Sequence, residues 1–518
     1  MRCGERTQMA AGLMKTNRFS WDFWAVIVLM AYAFLQIIRW PLLPGFVDIY
    51  YHLLTAWGFI QAGGYSSWDF WQYAPVGRPH LYPPLFHIIL ALFMKAGIDG
   101  IFLAKLFEVA APILFLSILW RFVSKYYSPR LAFWSLIAAG SSVSFYASLA
   151  HHIPSTIAMV FGILSLSQLF KKNIIRAALL LALCFYTHIG TSWFFAATII
   201  FYGLLDREYR KTGNLSVLFA IVLASPLFTQ QLFCSGSVYL AKMSERYFCE
   251  FKVINYILAA IGVALLFRRE RKYRLFLAFF AASFIYIAYP SRLFSSEGYL
   301  PIIILSAVFL DAVSGYFKFK ALFKYVMIIL IVFVLVFSPT IVTGLSESGK
   351  PAYELYFLDS GLINAIFPVN NGRVASQSIW LEKYYLPVVK LIKENSEPGN
   401  ILFSSVNIVG VCLAGISGRP TANYLLPEVA SSQKFDPVAD SKIIITLKDD
   451  DPSRVSSILR NYHLVKIGEN DVLNVYKNPA TKVKVRVKKA PVTFKFILAI
   501  FILWIIAFLT ARKDNRLV

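Results

Sequence analysis

The sequence predicts a polytopic α-helical membrane protein with a C-terminal extracytoplasmic α/β domain and a final transmembrane helix. Hydrophobic residues make up 58% of the 518 residues and charged residues only 15%, whereas soluble domains carry about 25% charged residues. Long apolar runs recur along the chain, and Lys and Arg collect in alternate connections between them. These three observations favour lipid as the solvent of most of the chain.

Apolar runs near the length that crosses a bilayer as a helix, roughly 20 residues, give about twelve predicted spans. No small-residue cleavage site follows the first run, so we expect that run to remain as an anchor. The predicted spans are 21–43, 103–120, 131–150, 153–170, 173–188, 190–205, 214–231, 253–267, 275–290, 298–315, 323–345 and 492–511.

One further apolar run, residues 85–94, is too short to span. As a helix it covers roughly 15 Å, about half the hydrocarbon thickness. Counting it as a span would also move many basic clusters to the outside, against the positive-inside rule. We therefore predict an interfacial or re-entrant helix on the outer surface.

The basic residues follow a topology in which both termini are cytoplasmic. The net charge of +23 arises largely from this pattern, so it gives no reason to expect a nucleic-acid partner. An anionic lipid surface or a phosphate-bearing substrate also suits the charge. We predict a multi-pass protein of the cell membrane. The clusters on the predicted inner side are Arg121, Lys125 and Arg130; Lys171, Lys172 and Arg176; Arg207, Arg210 and Lys211; Arg268, Arg269, Arg271, Lys272 and Arg274; Lys318, Lys320 and Lys324; and Arg512, Lys513 and Arg516.

The five cysteines match no zinc-binding spacing. Cys234 and Cys249 share one predicted outer loop, where the sequence is compatible with a disulfide and with two free thiols.

Three parts of the chain differ in composition. Residues 1–345 form the transmembrane domain and include a large first outer loop, 44–100. Residues 346–490 form the extracytoplasmic α/β domain, and residues 491–518 form the anchor and a basic cytoplasmic tail. In the α/β domain, the patterns predict helices over 379–394 and 451–461 and strands over 400–404, 442–447 and 472–476.

The first outer loop carries polar groups that a plain connector does not need. Asp48 and His52 are four residues apart and share a face if the segment is helical. Arg78, His80 and Tyr82 follow among many aromatic residues and are candidates for binding the substrate. Trp and Tyr also collect at membrane boundaries for purely structural reasons. A carboxylate next to a span is costly unless it is used, so Asp48 is the first catalytic candidate, with His52 beside it.

Six of the seven histidines fall in predicted outer loops or at outer helix ends. Imidazoles near a carboxylate act as bases or bind a divalent metal. Asp48, His151 and His152 are therefore the candidate ligands of a divalent metal such as Mg or Mn, although chance clustering at an interface gives the same pattern.

Two further charged residues are candidates for substrate binding. Arg292 is the only basic residue in its predicted outer loop, and a guanidinium there is suited to a phosphate. The alternatives are a snorkelling arginine or an ion pair with Glu297. Glu245, in the loop 231–252, belongs to a segment that could close over a site.

The ordered motifs of the chain resemble those of oligosaccharyltransferase catalytic subunits. The first loop has Asp48 followed by tyrosines, then Trp68 and Trp71, then Ala74-Pro75-Val76-Gly77-Arg78 and Tyr82-Pro83-Pro84. Arg292 is followed by Tyr299-Leu300-Pro301, and the stretches 391–403 and 415–421 resemble the start of the family's soluble domain. The resemblance covers about residues 20–480 and implies the C-type (GT-C) glycosyltransferase fold.

Two departures limit what the resemblance implies. The family's second acidic motif, which binds a divalent metal, is replaced by Ala150-His151-His152, which has no carboxylate. The family's acceptor-reading Trp-Trp-Asp-Tyr-Gly motif is replaced by residues 404–410. A strict asparagine-sequon enzyme therefore fits less well than a related transferase with another acceptor or a single-sugar donor.

The resemblance and the residues together predict a membrane glycosyltransferase. Its donor is a sugar or glycan on a polyprenyl (dolichyl) phosphate or diphosphate, and its acceptor is a protein, lipid or glycan. Asp48 acts as base or metal ligand, and Arg292 stabilises the leaving phosphate. The alternatives are a transporter or flippase for lipid-linked glycans, and a non-catalytic protein of the same fold. A transporter is expected to carry charges at mid-membrane depth, whereas Asp48 and Arg292 lie at the predicted outer edge.

Overall fold

The computed structural model describes residues 20–38, 40–44, 47–234, 249–267, 270–316, 321–345, 351–356, 382–425, 429, 431, 433–450, 456–458 and 461–511. Helices dominate these residues. The helices are α1 Trp21–Ile38, α2 Asp48–Ala62, α3 Leu85–Lys95, α4 Gly100–Tyr126, α5 Pro129–Ser141, α6 Val143–His151, α7 Ile153–Phe170, α8 Ile174–Thr187, α9 Ile189–Leu205, α10 Arg207–Phe233, α11 Val253–Leu266, α12 Arg274–Ser283, α13 Pro290–Ser295, α14 Leu300–Tyr316, α15 Ala321–Phe337, α16 Glu382–Asn395, α17 Asn407–Ser417 and α18 Phe494–Thr510.

The strands form four small sheets. The largest has the order β7-β8-β10-β9, with β7 and β8 parallel and the other neighbours antiparallel. The others are the three-stranded β4-β5-β6 and the pairs β1-β11 and β2-β3. The strands are β1 Gly64–Tyr65, β2 Trp68–Asp69, β3 Arg78–Pro79, β4 Cys249–Lys252, β5 Thr340–Leu345, β6 Pro351–Tyr356, β7 Leu402–Ser404, β8 Ile443–Leu447, β9 Val465–Glu469, β10 Leu473–Lys477 and β11 Val492–Thr493.

Several apolar helices begin at a polar residue that caps them. The side chains of Asp99, Asn173 and Asp206 accept hydrogen bonds from backbone N–H groups in the first turns of α4, α8 and α10. Ser128 does the same for α5, and Pro129 follows it in the first turn. These caps satisfy N–H groups that have no partner within the helix, and they separate apolar runs that hydropathy alone would merge.

Five helices in the described part of the chain are long and apolar enough to cross a membrane, or six if α5 and α6 count as one bent span. Most other predicted spans correspond to apolar helices of 10–17 residues. The structure thus confirms a chain of several apolar helices, as expected of a membrane protein. The predicted number of spans, about twelve, stays a prediction.

Two predicted spans differ from the helices observed. The run 131–150 is broken at Ser142, where α5 and α6 meet at 85°, because serine and glycine residues weaken the helix at this point. The run 323–345 ends as a helix at Phe337. Pro339 stops it, and β-branched residues then form β5.

The predicted inner and outer loops separate to opposite ends of the bundle. At one end, Arg130 pairs with Asp311, Lys172 pairs with Glu208, and Arg176 donates to the carbonyl of Phe508. At the other end, which we call the site end, residues 47–100 meet residues 152, 188, 292 and 492. The basic clusters in the described residues therefore gather at one end, opposite the first long loop.

The first long loop lies between the helical bundle and the α/β part. One hydrophobic core fills the bundle, and a second joins α2 and α3 to α16, α17 and the four-stranded sheet. Gly415 in α17 brings that helix against the backbone of Tyr50 in α2. The loop is therefore held in place by packing against the α/β part.

The close approach of α17 to α2 predicts that Gly415→Ala destabilises the protein. A Cβ at this position would lie 2.3 Å from the Tyr50 carbonyl oxygen, so the helix must shift, at a cost of about 1–3 kcal/mol. Thermal unfolding of the purified protein in detergent measures the effect. Gly399→Ala is the matched control, because its Cβ would meet no atom closer than 3.7 Å. Equal shifts for the two variants would contradict the packing described.

Candidate active site

A cavity of about 700 Å³ opens at the site end of the bundle. We call it the site cavity. Its polar groups are gathered at one side, and its other walls are apolar and aromatic, a combination typical of sites for small amphiphilic ligands. The lining residues are Tyr51, Asp69, Arg78, Pro79, His80, Leu81, Tyr82, Pro83, His188, Ile189, Gly190, Trp193, Ala197, Ile285, Tyr286, Tyr289, Arg292 and Val429.

Arg292 is held at the cavity wall by a buried carboxylate. Its Nη1 donates to Glu297 Oε1 over 2.7 Å. Glu297 is fully buried, and the same oxygen accepts from Thr191 Oγ1 at 2.9 Å and from Ser155 Oγ. Among the described residues, Glu297 is the one hydrogen-bond partner of the Arg292 guanidinium, so its other N–H groups are available to the cavity. The ion pair considered from the sequence therefore exists, and it leaves room for a phosphate.

Asp48 begins α2 and is about one-third exposed. Its Oδ2 lies 3.0 Å from His152 Nδ1. Burial opposes its charge, but the hydrogen bond to His152 and the nearby His152, His52 and Arg292 outweigh it, and the pKa of Asp48 lies below its ordinary value. Asp48 is therefore an ionised carboxylate with access to solvent at neutral pH.

Asp48 and Arg292 act on one another although 244 residues separate them in the sequence. Burial lowers the pKa of Arg292, but Glu297, Tyr286, Tyr82 and Asp48 raise it above its ordinary value. Both charges also act on Tyr82, which lines the cavity: burial raises the pKa of its phenol well above 10, Asp48 raises it further and Arg292 lowers it. The fold thus brings Asp48 near enough to Arg292 for their charges to interact, although Asp48 itself does not line the cavity.

The histidines of the first loop are buried and neutral. His52 Nδ1 lies 2.7 Å from His87 Nε2, and rings of Tyr51, Tyr82 and Phe86 surround His52. Burial lowers the pKa of His52 to about 4 and that of His80 to about 3. These imidazoles shape the wall beside Asp48 and carry no charge at neutral pH.

Arg78 is committed to the protein rather than to the open cavity. Its Nε contacts Asp69 Oδ2 at 3.0 Å, and its Nη atoms donate to the carbonyls of Val429 at 2.7 Å and Leu425 at 2.8 Å. The side chain is 3% exposed. Arg78 thereby fastens the first loop to the α/β part, and its predicted contact with substrate stays a prediction.

Other predicted site residues are placed as follows. His80 and Tyr82 line the cavity. His151, at the end of α6, is partly buried. Glu245 lies outside the described residues. Cys234 is a free thiol in this structure, and the side chain of Cys249 lies outside what the structure describes.

The donor set does not build a metal centre. Asp48 and His152 are two possible ligands, but within the described ranges no third His, Cys, Asp or Glu completes a metal-binding group. Mg²⁺ is often held by one or two carboxylates together with substrate phosphates. These residues therefore do not fit a protein-built site, and the predicted Mg or Mn remains untested.

The sequence did not predict that Glu297 is a central residue of the site. It was considered only as a partner that would occupy Arg292, whereas it joins Arg292 to α7 and α9 through Ser155 and Thr191. A signal was present: Glu297 precedes an apolar run, which is the argument that singled out Asp48. The cavity wall formed by Trp193, Tyr286 and Tyr289 has no such signal.

The chain matches no family model and no curated protein by sequence. Its structure is similar to that of ArnT from Cupriavidus metallidurans bound to undecaprenyl phosphate. The TM-score is 0.55 at 10% identity, and the match covers 90% of this chain and 99% of ArnT.

Archaeal oligosaccharyltransferase is also similar. The Archaeoglobus fulgidus enzyme in complex with zinc and sulfate gives a TM-score of 0.52 at 11% identity, covering 87% of this chain and 73% of the enzyme. AglB from the same organism, in complex with an inhibitory peptide and a dolichol-phosphate, gives 0.52 at 12% identity, covering 84% of this chain and 71% of AglB. The chain therefore has the GT-C-type glycosyltransferase fold, as the sequence predicted.

The buried histidines predict a loss of stability on acidification. Between pH 6.5 and about 4, His80 and His52 bind protons in the unfolded chain but not in the native one, so the free energy of unfolding falls as the pH falls, by about 1.4 kcal/mol per pH unit for each. Thermal unfolding from pH 7 to pH 4 measures this slope. His80→Asn is expected to flatten it. His463→Asn is the control, since His463 is exposed and asparagine tolerates its φ of 47°. If His80→Asn leaves the dependence of the unfolding temperature on pH unchanged, His80 is not neutral in the native protein.

Proposed function

We propose that the protein is an inverting glycosyltransferase that moves a sugar or glycan from a polyprenyl phosphate or diphosphate to an acceptor at the outer face of the membrane. The observation that carries this proposal is that Arg292 lines the site cavity and that Asp48, which is not part of the lining, lies near enough for each charge to shift the pKa of the other. The GT-C-type fold supports the reaction class. ArnT binds undecaprenyl phosphate and AglB binds a dolichol-phosphate, which supports a lipid-linked donor here.

The site cavity has a cationic part and an apolar part, as a lipid-linked phosphate donor requires. Arg292 offers free N–H groups for phosphate oxygens, and guanidinium pairs well with phosphate. Ile189, Trp193, Ala197 and Ile285 extend the wall as an apolar surface along α9, where a prenyl chain can lie. We infer that the donor enters from the bilayer with its phosphate at Arg292.

The residues divide the chemistry between them. Asp48 takes a proton from the acceptor's hydroxyl or amide as that atom attacks the anomeric carbon. The bond between the anomeric carbon and the phosphate oxygen breaks, and the negative charge develops on the leaving phosphate. Arg292, oriented by Glu297, stabilises that charge. His152 orients Asp48, and His52 keeps the surroundings of the carboxylate neutral.

The same proposal fixes the orientation in the membrane. The end that gathers the basic clusters faces the cytoplasm, as the positive-inside rule requires. The site end and the α/β part then face outward, with both termini inside, and the α/β part is suited to presenting a protein, lipid or glycan acceptor. The transporter alternative is less well supported, because Asp48 and Arg292 lie at one end and not along a path through the bundle.

Purified protein with radiolabelled polyprenyl-linked sugars tests the reaction directly. Transfer of label to an acceptor, with a free polyprenyl phosphate or diphosphate as second product, is the expected result. A chelator arm tests the predicted Mg or Mn: transfer that is lost on chelation and restored by added metal would support the metal, and unchanged transfer would contradict it. Movement of the intact donor across a vesicle membrane without transfer would favour the transporter alternative.

Asp48→Asn is expected to lower transfer by at least about 100-fold, because the amide keeps the shape but cannot accept the proton. The rate of sugar transfer by the purified protein measures the effect. Asp471→Asn is the control, since Asp471 is exposed in the connection between β9 and β10. Transfer by Asp48→Asn at a near wild-type rate would contradict the role of Asp48.

Arg292→Gln is expected to weaken donor binding by about 10- to 100-fold, the effect of losing a charge-assisted hydrogen bond. Arg292→Lys restores the charge but not the paired geometry, so we expect an intermediate affinity. Binding of a polyprenyl phosphate to the purified protein measures both. Equal affinity in all three proteins would contradict the assigned phosphate site.

A further inference from the structure

A second cavity lies beside the site cavity, between α3, α8, α10 and α18. We call it the side groove. It has a volume of about 490 Å³, and its walls are almost wholly apolar. The Tyr186 hydroxyl on its wall donates to the Leu223 carbonyl, so that polar group is already satisfied. The lining residues are Tyr65, Pro84, Leu85, Ile88, Leu183, Tyr186, Leu223, Pro226, Leu227, Gln230, Val492, Phe496, Ile497, Ile500, Phe501 and Trp504.

A basic extended segment, residues 482–489, leads directly into the side groove. Lysine or arginine alternates with valine along it, and Val485 is buried while all the cations are exposed. Lys484 pairs with Glu397, and Lys488 lies 4.3 Å above the Trp68 ring. We call residues 482–489 the basic ribbon. Three of its cations, Lys482, Arg486 and Lys489, have no protein partner within the ranges that the structure describes.

The ribbon and the groove are joined by a fixed connection. Lys489 precedes Val492 of the groove wall by three residues, about 10 Å of extended chain. Val492 pairs with Tyr65 in β1-β11, and Ala490 N–H donates to the Ala62 carbonyl. Lys95 adds another cation, 5.1 Å above the Phe494 ring at the start of α18. Exposed positive charge therefore stands at the mouth of an apolar groove between apolar helices.

We propose that the side groove and the basic ribbon together bind one anionic phospholipid of the surrounding leaflet. Its phosphate lies at Arg486 and Lys489, and one acyl chain lies in the groove against α18. Basic clusters next to a transmembrane helix favour anionic lipids, guanidinium suits a phosphate, and an acyl chain is the apolar occupant that the bilayer supplies here. This proposal does not rest on the proposed reaction.

The phospholipid also supports a wall of the site cavity. Gln230 lines the groove, and its Nε2 donates to the backbone carbonyl of His80 at 2.6 Å, while the Tyr65 hydroxyl donates to its Oε1. His80 lines the site cavity. The two cavities thus share a wall made of Tyr65, Gln230 and His80, and a chain in the groove packs against its far side.

The test is lipid retention by the full-length protein. The protein is placed in nanodiscs of phosphatidylcholine with a minor share of phosphatidylglycerol, recovered in mild detergent, and its bound lipids are measured by mass spectrometry. We expect phosphatidylglycerol to be enriched over its share in the bilayer. Arg486→Gln with Lys489→Gln should lose this enrichment, about fivefold for each cation removed. Lys434→Gln with Lys466→Gln removes two exposed charges elsewhere and should retain it.

The groove is tested by a matched pair on α18. Ile500→Trp fills the groove and should release the retained phospholipid, whereas Ile502→Trp, on a face that does not line it, should not. No enrichment of phosphatidylglycerol in the wild type, or equal losses in test and control variants, would overturn the proposal. A third result would also overturn it: the protein retains added polyprenyl phosphate but no phospholipid, and Ile500→Trp abolishes that retention. The groove would then bind the donor.

Discussion

The site depends on a single buried carboxylate, Glu297. A fully buried charge is strongly unfavourable unless hydrogen bonds and an opposite charge compensate it. Arg292, Thr191 and Ser155 supply that compensation from three different parts of the bundle. Loss of any of these partners would leave the Glu297 carboxylate without compensation in an apolar surrounding. The ion pair with Glu297 therefore fixes where the guanidinium of Arg292 lies. The cavity wall is therefore positioned by electrostatics as much as by packing.

Two arginines line the same cavity and have opposite relations to the protein. Arg78 gives its donors to Asp69 and to the carbonyls of Leu425 and Val429, so its hydrogen-bonding capacity is spent on joining the first loop to the α/β part. Arg292 gives one donor to Glu297. The exposed fraction of the side chain, 3% for Arg78 and 31% for Arg292, reflects this difference. Arg292, whose guanidinium keeps donors without a protein partner among the described residues, is therefore the arginine that the proposed reaction assigns to the phosphate.

The sequence was sufficient to single out Asp48 and Arg292 as candidates, because a charge at the edge of an apolar run is costly and therefore informative. It was insufficient for Arg78, whose partners lie about 350 residues away and are backbone carbonyls, which any sequence provides. The bend at Ser142 and the strand after Pro339 were missed because hydropathy measures burial and not backbone conformation. The GT-C-type fold followed from ordered motifs that no family model matches.

The neutral histidines limit where a proton taken by Asp48 can go. The nearby Asp48 charge raises the pKa of His52, but burial outweighs it and lowers that pKa to about 4. His52 therefore does not accept a proton at neutral pH. Its partner His87 is fully buried. Asp48 itself is one-third exposed and its pKa lies below the ordinary value. In the proposed reaction the proton therefore leaves from the exposed side of Asp48 to water, and the hydrogen bond with His152 and the nearby Arg292 charge keep the carboxylate ionised for the next acceptor.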